Sequence, residues 1–76
     1  MGNFSIRVVY DDGTPAQNIN VFVSYSGLGG HDEEYTDSDG WTEFDNYGND
    51  YGAIYVDGDK IGEYDLSDDS SYSFTI

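Results

Sequence analysis

The chain has 76 residues, sixteen acidic side chains against Arg7 and Lys60, a net charge of -14 and no cysteine. So small a chain buries only about 60% of its unfolded surface, and no disulfide or zinc finger can staple it. The charge excludes direct contact with nucleic acid phosphates or insertion into an anionic membrane, both of which call for Lys and Arg.

Stability must come from packing, and four Phe, eight Tyr and one Trp supply the apolar area. Twelve of the sixteen acids are Asp. They suit a solvated surface adapted to salt, a calcium site, or a surface that imitates nucleic acid phosphates. The opening "MGNFSIRVVY" has neither the basic start nor the apolar run of a secretory signal. Ile6 stands where a myristoylation motif wants Ser or Thr. No segment approaches the ~20 apolar residues of a membrane helix. We expect one domain over residues 1–76.

Period-two alternation runs along most of the chain. "FSIRVVY" sets Phe4, Ile6, Val8 and Tyr10 against Ser5, Arg7 and Val9, as in a half-buried strand. "DDGTPAQN" follows as a turn or strand edge, because Pro15 cannot donate to a ladder. "INVFVSY" places Ile19, Val21, Val23 and Tyr25 on one face and Phe22 on the other. "SGLGGHD" reads as a loop, "EEYT" as a short edge strand and "DSDG" as a turn. "WTEFD" puts Thr42 and Phe44 opposite Trp41 and Glu43. "NYGNDYG" is a polar loop, and "AIYVD" a strand with Ile54 and Val56 facing one way. "GD" at 58–59 reads as a tight turn. "KIGEYDL" is a strand in which Ile61 fits no clean alternation. "SDDSS" then turns into "YSFTI".

Ten glycines and the Asp clusters disfavour helix. Short strands about ten residues apart predict an all-β fold, a small six- to seven-stranded antiparallel β-sandwich.

The order of "DDGTPAQNINVFV", "YTDSDGWTEF" and "YGAIYVDGDKIGEY" resembles the carboxypeptidase regulatory-like domains. These are prealbumin-like (transthyretin-type) sandwiches related to collagen-adhesin B-type repeats. The residues that carry the likeness are Asp12, Gly13, Pro15, Ala16, Asn18, Val21, Val23, Thr36, Asp37, Gly40, Phe44, Tyr55 and Val56. The resemblance implies a non-catalytic accessory or adhesion module of a secreted or cell-surface protein. It also implies contacts with protein or carbohydrate through loops. The internal Lys–Asn bond of some adhesin repeats is not expected. The first strand offers Arg7 and no Lys, and "YSFTI" has no Asn. In the "TDSDG" turn, Asp37 is expected to accept backbone amides and Gly40 to take a positive φ.

Candidate sites follow from side-chain chemistry. Aligning Gly40 with the sixth position of an EF-hand loop leaves Tyr35 and Asn46 where Asp and Glu are required, so that loop is excluded. A looser calcium site would use Asp37, Asp39, Asp45 and Asp50; solvated turn acids are the plainer reading. Trp41, Tyr47 and Tyr51, with Tyr55, could form a platform for sugar rings. In so small a domain, Trp41 and Tyr55 are expected to serve the core instead. His31 is a candidate ligand contact or pH-responsive residue, a partner of Asp32 and Glu33 in a metal site, or simply an exposed loop residue, the plainer reading. No nucleophile–base–acid motif and no phosphate loop is present, so neither an enzyme nor an essential cofactor is expected.

Any binding surface is placed at one pole, on residues 26–34 and 45–51. A monomer is expected. Two other readings stay open: a free-standing acidic inhibitor that fills a partner's basic groove, and a scaffold with loops selected for a target.

Overall fold

The computed structural model describes residues 2–26 and 30–76. Seven strands are present among them: β1 (Asn3–Val9), β2 (Asn20–Tyr25), β3 (His31–Tyr35), β4 (Trp41–Asp45), β5 (Tyr51–Val56), β6 (Asp59–Asp65) and β7 (Ser71–Thr75). They form a three-stranded sheet, β4-β1-β7, and a four-stranded sheet, β3-β2-β5-β6. The fold is the all-β sandwich that the alternation predicts. Every pairing is antiparallel except β1 with β7, which is parallel.

The inward residues of each strand make the core. Phe4, Ile6 and Val8 of β1 meet Val21 and Val23 of β2, Phe44 of β4, and Ile54 and Val56 of β5, with Ala16 and Leu66 from the connections. Phe4 and Phe44, directly paired across β1 and β4, stack at 5.4 Å. Tyr64, Tyr72 and Phe74 close the side between β6 and β7, with ring centroids 5.0 to 6.4 Å apart.

Trp41 and Tyr55 do not fill the core. Trp41 shares its face with Arg7 on the outside of the three-stranded sheet, and the Arg7 guanidinium lies 5.8 Å from its ring. Tyr55 packs edge-on against Phe22 at 5.6 Å on the outside of the four-stranded sheet. The reason lies in the pleat: Thr42 and Phe44 face inward, so their alternates must face outward. Valines, isoleucines and phenylalanines already fill the narrow interior.

Local chemistry explains the connections. After β1, the Asp12 carboxylate accepts the Thr14 amide at 3.0 Å and its hydroxyl at 2.7 Å. Those bonds hold the exposed acid below the usual carboxylate range. Pro15 bridges Val9 at the strand edge. Between β3 and β4 the chain changes sheets. There Thr36 is buried, donating its hydroxyl to the Ala16 carbonyl and accepting the Ile19 amide at 2.9 Å. Asp37 accepts the amides of Asp39 and Trp41, each at 2.9 Å, as expected for this turn.

The tight turn between β5 and β6 is Asp57-Gly58, one residue earlier than expected. Both residues have positive φ, 53° and 86°, as a type I′ hairpin requires. Ile61 escapes the alternation because the register shifts at Ile54/Tyr55: Tyr55 faces Lys60 while Ile54 faces Gly62, leaving Ile61 as the extra residue of a bulge. His31 and Asp32 belong to β3, not to the preceding loop, of which residues 27–29 lie outside the described residues.

Candidate functional site

The topology gathers strand ends at two poles. One pole holds the end of β2, the start of β3, the end of β4, the start of β5 and the β6–β7 connection. Of the expected segments, Ser26, the start of β3 and residues 45–51 meet there, while Glu33 and Glu34 run along β3 towards the other pole and residues 27–29 lie outside the described residues. Ser26 donates its amide at 3.0 Å and its hydroxyl at 2.7 Å to the Tyr51 carbonyl. Tyr25 donates its hydroxyl to the Asp45 carbonyl at 2.9 Å, tying the two sheets together. Burial holds that hydroxyl well above the ordinary phenol range, and Asp32, Tyr47 and Asp45 add to the effect.

Asn46 is the pin of this pole, and sequence reasoning passed over it as one more polar loop residue. It is buried. Its side-chain amide donates to the Leu66 carbonyl at 2.8 Å and to the Asp68 carboxylate at 3.0 Å. Its side-chain oxygen accepts the amides of Gly2 at 3.3 Å and Gly48 at 3.0 Å. One residue thus joins the chain start, the β4–β5 loop and the β6–β7 connection. Beside it lies a shallow depression of about 450 Å³, lined by Asn46, Gly48, Asp50, Ser67 and Asp68.

Tyr47 stands on this pinned loop. It is 57% exposed, and its ring meets Tyr25 edge-on at 5.9 Å. Its backbone is left-handed, φ 51°, followed by Gly48 at 78°. The Asn49 amide closes the turn on the Asn46 carbonyl at 2.8 Å. The same φ signs occur at Asp57-Gly58, where the sequence supplies the residues such a turn prefers. At 47–48 a tyrosine occupies the place of an Asn, Asp or Gly.

The other singled-out residues are dispersed. Tyr51 opens β5, exposed. His31 opens β3 and stacks on Phe22 at 5.0 Å, on the outer face of the four-stranded sheet. Trp41 begins β4 at the opposite pole from Tyr47. Five residues at about 3.3 Å each put roughly 15 Å between the ends of that strand. A single platform of Trp41, Tyr47, Tyr51 and Tyr55 is therefore not assembled.

The same strand divides the four candidate calcium ligands. Asp37 and Asp39 precede β4 at one pole; Asp45 and Asp50 lie at the other. Asp37 is engaged by its own turn, and Asp45 accepts the Tyr47 amide at 2.7 Å. Among the described residues no three His, Asp or Glu side chains are gathered as a metal would need. Lys60 lies in β6, 3.5 Å from Glu63, in the other sheet from β1 and β7. Among the described residues no helix is long and apolar enough to cross a membrane.

Comparison with family models and with curated proteins returns no match.

Proposed function

We propose that this chain is a non-catalytic β-sandwich binding module of the carboxypeptidase regulatory-like kind. It would serve a secreted or cell-surface protein by contacting protein or carbohydrate through the pole that bears Tyr47. The observation that carries this reading is Tyr47 itself. A bulky residue in the left-handed region costs about 1–2 kcal/mol, and it is retained here on an exposed ring. Stability alone would favour Asn or Gly at that position. A rigid aromatic offers contact area at a low entropy cost, and the Asn46 bonds hold its loop in place before any ligand arrives.

The placement of the acids weighs against the inhibitor reading. Asp11, Asp12, Asp37, Asp39, Asp57 and Asp59 lie towards one pole, and Asp45, Asp50, Asp65, Asp68 and Asp69 towards the other; Asp32, Glu33 and Glu34 of β3, Glu43 of β4 and Glu63 of β6 lie between them, divided over both sheets. Phosphate mimicry calls for a continuous band.

The test is an NMR titration of the ¹⁵N-labelled chain with soluble glycans and with extended peptides. Shifts centred on residues 45–51, lost in Tyr47→Asn while the fold is kept, would support the reading. Binding that Tyr47→Asn leaves intact would refute it.

A further inference from the structure

Four strands border the two sheets: β3 and β6 in one, β4 and β7 in the other. Three of them carry charge. β3 has Asp32, Glu33 and Glu34; β4 has Glu43 and Asp45; β6 has Asp59, Lys60, Glu63 and Asp65. On β3, Asp32 and Glu34 pair with Val23 and Val21, which places them on the core-facing side. Charges on an edge, above all inward-facing ones, discourage another strand from pairing. β7 has none, and the uncharged stretch extends from Ser70 through Ile76.

The ladder identifies the free backbone groups. The Ser70 carbonyl accepts the Ser5 amide, and the Ile76 amide donates to the Val9 carbonyl, each at 2.9 Å. Residues of that parity face β1, so Ser71, Ser73 and Thr75 turn their N–H and C=O groups to the open edge. All three are exposed. Their neighbours Tyr72 and Phe74 pack inward against Tyr64, and Tyr72 donates its hydroxyl to the Asp65 carbonyl at 2.7 Å. The strand is anchored on its inner side and, among the described residues, pairs with no strand along its outer edge.

We propose that the β7 edge takes up an extended peptide bearing Lys or Arg, which adds a fourth strand to the three-stranded sheet. Main-chain bonds to Ser71, Ser73 and Thr75 supply the affinity, as in other strand additions. The sign of the partner follows from the charge around the edge. The chain carries -14, and Asp65, Asp68 and Asp69 lead into β7; Arg7, paired with Ser73, turns its guanidinium away to Trp41 and the Asp39 carbonyl on the β4 side. A second copy would bring the same negative charge to the seam, which disfavours self-pairing. This inference stands apart from the loop pole.

The test uses the full ¹⁵N-labelled chain at low salt, titrated with a seven-residue peptide alternating Lys and Val, and with its Glu–Val counterpart. Expected are shifts and slowed amide exchange at Ser71, Ser73 and Thr75 with the Lys peptide alone, weakened at least tenfold in 0.5 M NaCl. Ser73→Pro removes an outward N–H and no bond to β1, and should abolish binding. Should that variant not fold, Ser73→Lys keeps the N–H and should repel the peptide. Four results would overturn the proposal. They are no shift at millimolar peptide, equal binding of the Glu peptide, binding retained in a folded Ser73→Pro, or dimerisation of the chain alone in sedimentation.

Discussion

Gly40 lies against the backbone of Val8 with no space for a side chain between them. A Cβ on Gly40 would sit 2.4 Å from the Val8 carbonyl oxygen. The Gly40 carbonyl accepts the Val8 amide at 2.8 Å, which fixes this approach. Gly40 also has φ 84°. Gly48 shares the positive φ, 78°, but a Cβ there would meet nothing within 4 Å. Gly40→Ala should therefore cost about 3 kcal/mol or more, and Gly48→Ala about 1 kcal/mol. Urea denaturation midpoints measure both. Equal losses would mean that the clash with Val8 relaxes freely.

Asn46 unites three segments through one buried amide, so its removal should be felt beyond its own loop. Asn46→Ala strips the partner from the Leu66 carbonyl and from the Gly2 and Gly48 amides. A loss of about 2–4 kcal/mol is expected. Amide exchange should quicken at Gly48 and in the β6–β7 connection while the β1 and β2 ladders stay protected. A variant as stable as the parent would deny Asn46 its structural role.

Much of this architecture was legible in the chain. Alternation located β1, β2, β4, β5 and β7, and β4 agreed end to end, because a sandwich with a narrow core imposes one inward residue in two; β3 and the bulged β6 did not show it cleanly. The "TDSDG" turn was readable because Asp37 and Gly40 have local reasons to be where they are. Trp41 shows how a sound signal can be overridden: the pleat set it opposite Phe44, yet its size suggested the interior. The parallel pairing of β1 with β7 has no local signature, since it joins the two ends of the chain. Asn46 was hidden for a related reason. A polar residue in a polar loop looks solvated until the loop is seen folded over Leu66 and Gly2.

Tyr25 links stability to alkaline pH. Its folded-state pKa is raised above the unfolded value of 10.0, so the stability it contributes is fully present below about pH 10. That contribution is lost as the pH climbs from there towards the folded value. Tyr25→Phe should cost about 1 kcal/mol at pH 7 by losing the bond to the Asp45 carbonyl. The variant should then lose less stability than the parent between pH 9 and about 11.5. Urea midpoints across that range decide it, and parallel pH curves would contradict the assignment.

The charge imbalance predicts the response to salt. With -14 on 76 residues, mutual repulsion weakens the folded state at low ionic strength. The Debye length shrinks from about 30 Å at 0.01 M to about 3 Å at 1 M, so added NaCl should raise the melting temperature steadily. Calorimetric scans in sodium, magnesium and calcium chloride at matched ionic strength separate screening from binding. A rise in millimolar calcium well beyond the magnesium control would revive a site among the turn carboxylates.

Tyr47 offers the most direct measure of strain retained for contact. Two terms act on it: a left-handed backbone that disfavours tyrosine, and an edge-on ring contact with Tyr25 worth about 0.5–1.5 kcal/mol. Tyr47→Ala loses the ring and keeps the strain, so it should be less stable than the parent by about 1 kcal/mol. Tyr47→Asn also loses the ring but suits the turn, as Asp57 suits the corresponding position before Gly58. The Asn variant should therefore exceed the Ala variant by about 1 kcal/mol and match or surpass the parent. Denaturant unfolding of the three proteins settles the comparison. If Asn and Ala prove equally stable, the left-handed backbone costs nothing at this position, and the exposed ring needs no function to account for it.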